Sequence, residues 1–172
     1  MNSPTLDETL DHVRGPASGR LILEYGDYEC PHSRAAYREI QRVERAMGDG
    51  VRFAFRHFPL TEIHPHALAA SAAAEAAARQ GRFWEMSELL YRRQTALEDQ
   101  DLRGYAGELG LDLASFDADR AGDAVLARVR RDVESGLASR QVRGTPTLFI
   151  DGVLHEGGYD AASLLEALAP GL

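Results

Sequence analysis

The first apolar run along the chain is Leu21-Ile22-Leu23, continued by Glu24-Tyr25 and preceded by Gly19, which predicts a short buried strand. A turn-like Gly26-Asp27 follows, and from Ala35 the apolar period changes. Ala36, Ile40, Val43 and Met47 recur every three or four positions, predicting a helix over 35–47, with Pro31 in its first turn and Gly48 at its end. Val51-Arg52-Phe53-Ala54-Phe55 alternates again and is aromatic, so it predicts a second strand. Strand, helix, strand in this order is a βαβ unit, whose crossover is expected to be right-handed.

The middle of the chain reads as helical. Ala67–Ala78 is alanine-rich, alanine has the best helix propensity, and Gly81 stands where a stop is expected. Phe83–Tyr91, Leu102–Leu109 and Val125–Leu137 repeat apolar residues at helical spacing, most clearly at Val125, Val129, Val133 and Leu137. The period then shortens once more. Thr147–Ile150 predicts a strand, Asp151-Gly152 a two-residue hairpin turn, and Val153–His155 the partner strand. Asp160–Leu168 predicts a closing amphipathic helix. The order is β-α-β, a helical block, then β-β-α. Residues 1–18 are expected to be an N-terminal extension, and 19–172 a single domain with a helical insertion at about 62–140.

At 172 residues the chain is long enough to bury a core without covalent staples. Its 27 acidic residues outnumber 19 basic ones, all arginine, for a net charge of −8, so neither nucleic acid nor an anionic membrane surface is an expected partner. No stretch has the form of a secretory signal or approaches the roughly 18 apolar residues of a membrane span, and a cytoplasmic setting is expected. The lone cysteine, Cys30, excludes an internal disulfide and any multi-cysteine metal site.

Cys30 falls just after a predicted strand and turn, at the start of a helix. Unpaired backbone N–H groups there carry partial positive charge and favour thiolate over thiol. His32 is a candidate cationic or hydrogen-bonding neighbour, and the Ser33 hydroxyl a candidate donor to the sulfur. The flanks Tyr28-Glu29 and Pro31-His32 do not have the pattern of a core, so a reactive thiol is favoured over a small buried hydrophobe. Glu24, six residues before Cys30, is either desolvated with a raised pKa or turned to solvent by strand alternation; pattern alone weighs these equally. His57, His64 and His66 lack the spacing of a metal set, so no metal is expected. Phe83, Trp84 and Met86 are read as core, and Arg128, Arg130 and Arg131 as a solvated helix face.

The segment Glu24-Tyr25-Gly26-Asp27-Tyr28-Glu29-Cys30-Pro31-His32-Ser33 resembles the active-site segment of the DsbA-like family of thioredoxin-fold proteins, which carries Cys-Pro-His-Cys after a strand bearing a buried Glu. Gly144-Thr145-Pro146-Thr147-Leu148-Phe149-Ile150-Asp151-Gly152 resembles the family's cis-proline segment and hairpin. Arg56–Leu60 and His64–Ala67 are similar to its cytoplasmic, single-domain branch. The resemblance implies an α/β thioredoxin-like fold with a four-stranded mixed sheet, and burial of Glu24. It implies catalytic roles for Cys30, His32, Ser33 and Glu24, with Pro31, Thr145 and Pro146 shaping the substrate groove. Expected partners are thiol- or disulfide-bearing proteins or small thiols, with the chain a monomer or weak homodimer and no tightly bound cofactor.

One departure bears on mechanism. The family's second cysteine falls on Ser33, and a hydroxyl cannot release a mixed disulfide formed by Cys30. An external thiol, glutathione or another low-molecular-weight thiol, is therefore the expected co-substrate. Two other readings belong to different classes: a glutathione-dependent transferase or isomerase similar to the kappa class, and a non-catalytic binder of extended peptides. The kappa-class likeness is the weaker for having Ser where Cys30 stands.

Overall fold

The computed structural model describes residues 3–169. Five strands form one sheet: β1 (His12–Arg14), β2 (Arg20–Gly26), β3 (Val51–His57), β4 (Thr147–Ile150) and β5 (Val153–Leu154), in the order β1-β3-β2-β4-β5. Only β2 and β3 run parallel, in a register that sets Glu24 beside Phe55; β4 and β1 pair antiparallel to them. The helices are α1 (Pro31–Met47), α2 (Ala67–Ala78), α3 (Phe83–Arg92), α4 (Asp99–Glu108), α5 (Leu113–Arg120), α6 (Asp123–Ser139) and α7 (Ala161–Leu168). The architecture is thus an α/β thioredoxin-like fold.

The fifth strand corrects the expectation of four. β1 comes from the segment taken as an extension, pairing His12 with Phe55 and Arg14 with Phe53. Its side chains are anchored rather than apolar: Arg14 makes a bidentate pair with Glu44, and His12 bonds Glu75 and stacks on Phe83. At the other end, Asp151 and Gly152 both have positive φ, as a tight hairpin turn between right-twisted strands requires.

Strand alternation divides the core. Ile22, Val51, Phe53, Phe55, Leu148 and Ile150 face one layer with α1, the helical insertion and α7. Leu23, Tyr25, Ala54 and Phe149 face the other, with Phe58, Val142 and Val133. Helix α2 is apolar on nearly every side, and its alanines are buried among its neighbours, as expected of a helix enclosed by others.

The helix expected over Val125–Leu137 forms as α6, its apolar stripe buried at Val125 and Val129 and running out at Leu137, which is 58% exposed near the helix end. Arg128 and Arg131, expected on a solvated face, are instead engaged. Both bond the fully buried Asp132, and Arg131 also bonds Asp11, whose carboxylate receives a two-pronged bond from Arg56. Burial alone would raise the Asp11 pKa, but the bonds from Arg56, the Asp7 N–H and Arg131 hold it down to about 2. This network ties the N-terminal segment to β3 and α6.

Candidate active site

Cys30 is the residue immediately before α1, in extended conformation (φ −78°, ψ 121°), and Pro31 opens the helix. Proline suits that position because it needs no N–H partner and its φ is already helical. The Cys30 side chain leaves the first-turn N–H groups uncapped, and its Sγ lies 3.5 Å from the Thr145 carbonyl, to which the thiol donates. Thr145–Pro146 is a cis peptide bond. The structure therefore brings together Cys30, Thr145 and Pro146 from segments more than a hundred residues apart. Cys30 is only 4% exposed, and the Thr145 hydroxyl is a buried polar atom without a partner.

The turn before the cysteine is held by Asp27, which is fully buried. Its carboxylate accepts bonds from the Glu29 N–H, the Leu60 N–H and His64 Nδ1, each at 2.8–2.9 Å. Its own N–H donates to Ser33 Oγ at 3.2 Å. Ser33 is fully buried and its oxygen faces the Asp27 backbone; no bond to the sulfur is formed. His32, expected beside the thiol, is instead exposed, with Nδ1 3.0 Å from the Tyr159 hydroxyl. The reason is helical: the side chain at the second helix position points outward, toward the α7 side of the molecule.

Gln94, between α3 and α4, donates to the Tyr28 carbonyl at 2.8 Å and the Cys30 carbonyl at 2.9 Å, and Arg34 holds the Tyr91 carbonyl. His66 bridges Glu29 and Glu98 at the rim, and the bond to Glu29 chiefly raises its pKa. None of Asp27, His64 or Gln94 was singled out for the site from sequence. An Asp two residues before a helix-opening Glu-Cys-Pro carries the usual turn signal, which marks Asp27. Gln94 offers no such signal.

Glu24 lies on the same sheet face as Ile22 and is 1% exposed, with Oε2 unpartnered. Burial pushes its pKa up to about 8, against a smaller opposing pull from Arg14. The hydroxyls of Tyr28 and Tyr91 share this dry layer. Burial raises both, and the nearby Glu24 charge adds to it; Tyr28 bonds Ser87, whereas Tyr91 has no partner.

The three histidines considered as a metal set are dispersed over separate carboxylates: His57 on Glu75, His64 on Asp27, His66 on Glu29 and Glu98. Among the described residues, the group whose ligand atoms do converge is His12, His57 and Glu75. There both imidazole Nε2 atoms point at one Glu75 oxygen, at 2.6 and 2.8 Å. His57 Nδ1 is buried without a partner, so as a ligand it would lack the outer hydrogen bond that orients metal-bound imidazole. As hydrogen-bonded groups the three clasp β1, β3 and α2 together.

A family model described as Thioredoxin matches residues 9–169. The chain belongs to this thioredoxin family. One solved structure of similar fold is alpha-DsbA1 of Wolbachia pipientis, at 18% identity and a TM-score of 0.77 over 92% of this chain and 88% of that one. The chain is similar to a thioredoxin-like oxidoreductase from Silicibacter pomeroyi DSS-3, with 26% identity and a TM-score of 0.80 over 92% of this chain and 90% of that one. It also resembles BdbD from Bacillus subtilis, at 17% identity and a TM-score of 0.81 over 94% and 92% of the two chains, a likeness of fold. In sequence it is 45% identical over 164 residues to the Na(+)/H(+) antiporter NhaA 1 of Mycolicibacterium vanbaalenii, covering 94% of this chain and 26% of that protein. Herminiimonas arsenicoxydans NhaA is 42% identical, again over 26% of its length. The chain thus spans about a quarter of the curated relatives it matches. Among the described residues, no helix is long and apolar enough to cross a membrane.

Proposed function

We propose that this protein is a thiol–disulfide oxidoreductase that works as a monothiol through Cys30. The observation that carries the reading is the pairing of Cys30 Sγ with the Thr145 carbonyl beside Pro146, with Ser33 where a resolving cysteine is needed. The thiolate attacks one sulfur of a bound disulfide. A Cys30–substrate bond forms, the substrate S–S bond breaks, and the leaving sulfur departs with the electron pair as a thiolate. The uncapped N–H groups at the start of α1 stabilise the Cys30 thiolate before attack and again when it is released. Ser33 cannot expel the captured substrate, so a free thiol such as glutathione attacks the mixed disulfide and returns Cys30 to its reduced form.

Asp27, His64 and Gln94 position this chemistry by fixing the loop from Tyr28 to Cys30. With so little of Cys30 exposed, a productive disulfide is one lying along the Thr145 segment, whose backbone pairs with an extended chain once the thiol lets go of the Thr145 carbonyl. Glu24, held protonated in the dry layer, is a proton reservoir on the strand leading to the site. A reducing cytoplasm supplies the external thiol that the cycle needs.

The test is turnover of a glutathionylated peptide with glutathione as second substrate. The proposal expects release of free peptide by the wild-type protein and none by Cys30→Ala. Unchanged peptide binding without turnover in both proteins favours the non-catalytic binder. Activity toward an electrophile or a cis-alkene, without disulfide exchange, favours the transferase or isomerase.

A further inference from the structure

A cavity of about 670 Å³ opens between the end of α6, the segment leading to Thr145 and the β5 edge. Its lining includes Arg140, Gln141, Arg143, Leu154 and Glu156. Among the described residues, neither arginine makes an ion pair, unlike Arg128 and Arg131 of α6; Arg130 of that helix is likewise unpaired. In a chain of net charge −8 with 27 carboxylates, two uncommitted guanidinium groups at one cavity are a concentrated positive feature. A single carboxylate on the lining, Glu156, leaves the pair in excess.

The end of α6 sets Arg140 at the cavity wall. Arg140 ends α6 in the left-handed region, at φ 60° and ψ 10°. That conformation suits glycine or asparagine and strains other residues, yet an arginine occupies it at the cavity wall. Arg143, the other cation, stands two residues before Thr145, whose carbonyl meets the Cys30 sulfur. Two residues of extended chain span at most about 7 Å. Along the chain, that places Arg143 close to the segment that meets the sulfur.

We propose that this cavity is an anion subsite that receives a carboxylate of the substrate attacked by Cys30. The inference rests on the monothiol reading and names its substrate class: carboxylate-bearing disulfides, in which a small thiol or an acidic peptide supplies the same chemistry. The guanidinium fork matches a carboxylate through two parallel N–H···O bonds, and the pair orients the disulfide against the thiolate. The exchange step is unchanged: Cys30 sulfur bonds one substrate sulfur, and the other leaves as thiolate.

The experiment measures the rate of mixed-disulfide formation on the full chain with three probes: glutathione disulfide, the same disulfide with its carboxylates esterified, and the cationic disulfide cystamine. The acid form is expected to react at least about tenfold faster than the ester, corresponding to roughly 1.4 kcal/mol, and the preference is expected to shrink with salt. Arg140→Gly combined with Arg143→Gln is expected to bring that ratio near one; the glycine fits the left-handed position, and a thermal melt verifies the fold. Equal rates for acid and ester in the wild type, or an undiminished ratio in the double variant, overturn the subsite. Failure of all three probes to label Cys30 overturns the monothiol reading as well, a distinguishable result. Glutathionylated peptides with acidic or lysine-rich flanks then assign the source. A rate set by the flanks means a peptide carboxylate, and an indifferent one means the small thiol.

Discussion

Glutamate 24 makes the electrostatics of the central layer measurable. Its carboxyl is buried, one oxygen is unpartnered, and its pKa rises from an ordinary 4.5 to about 8. The folded protein therefore keeps a proton that the unfolded chain gives up once the pH passes about 4.5. Stability tied to this group is present below that pH, declines as pH rises, and levels off above about 8. At about 1.4 kcal/mol per unit, the full shift is worth about 5 kcal/mol, with about 3 kcal/mol lost by pH 7. Glu24→Gln replaces the neutral acid by a neutral group of the same shape and removes the titration. Urea unfolding of both proteins between about pH 5 and pH 8 reads the effect as a growing gap, the variant becoming the more stable as pH rises. A gap that stays constant across the range refutes the reasoning, because it means that Glu24 ionises alike in the folded and unfolded chains.

Three further perturbations follow from other parts of the structure. Asp11→Ala strips the partner from Arg56, whose side chain is 3% exposed, and is expected to cost about 3–5 kcal/mol in chemical denaturation. Because the Asp11 pKa is lowered to about 2, its stabilisation is present above the ordinary 3.8 and lost as pH falls toward 2, a decline the variant lacks. Gly136→Ala puts a methyl carbon 2.9 Å from the Phe58 ring and 3.1 Å from the Tyr25 ring, so it is expected to lower stability by about 1–2 kcal/mol despite the better helix propensity. A rise in melting temperature contradicts that packing. Ser33→Cys sets a second thiol in the first turn of α1, three residues after Cys30, and is expected to titrate as zero free thiols after mild oxidation; two persistent thiols contradict the geometry.

The strands and α1 were legible because their apolar periods are clean, and the Asp-Gly turn because its chemistry is specific. β1 was not, since its three residues carry two polar side chains that dock by ion pairing instead of apolar alternation. Helix α5 is not legible for a related reason: its eight residues bury only Phe116, so no repeat arises. Parity along β2 sets Glu24 opposite Leu23 and Tyr25, but parity does not reveal that helices cover that face. In the site, Cys30, Thr145 and Pro146 sit in local motifs that survive in sequence. The bonds of His64 and Gln94 span 37 and 64 residues, and no local pattern encodes contacts at that range. His32 turns to Tyr159 and away from the thiol because sequence nearness to Cys30 does not fix the direction of a side chain on the first helical turn.

The proposed function turns on Cys30 exchanging disulfides alone. Intact mass after incubation with glutathione disulfide tests it most directly. One glutathione on each wild-type chain is expected, with complete removal by added free thiol and no adduct on Cys30→Ala. A wild-type chain that stays unmodified while remaining folded contradicts it.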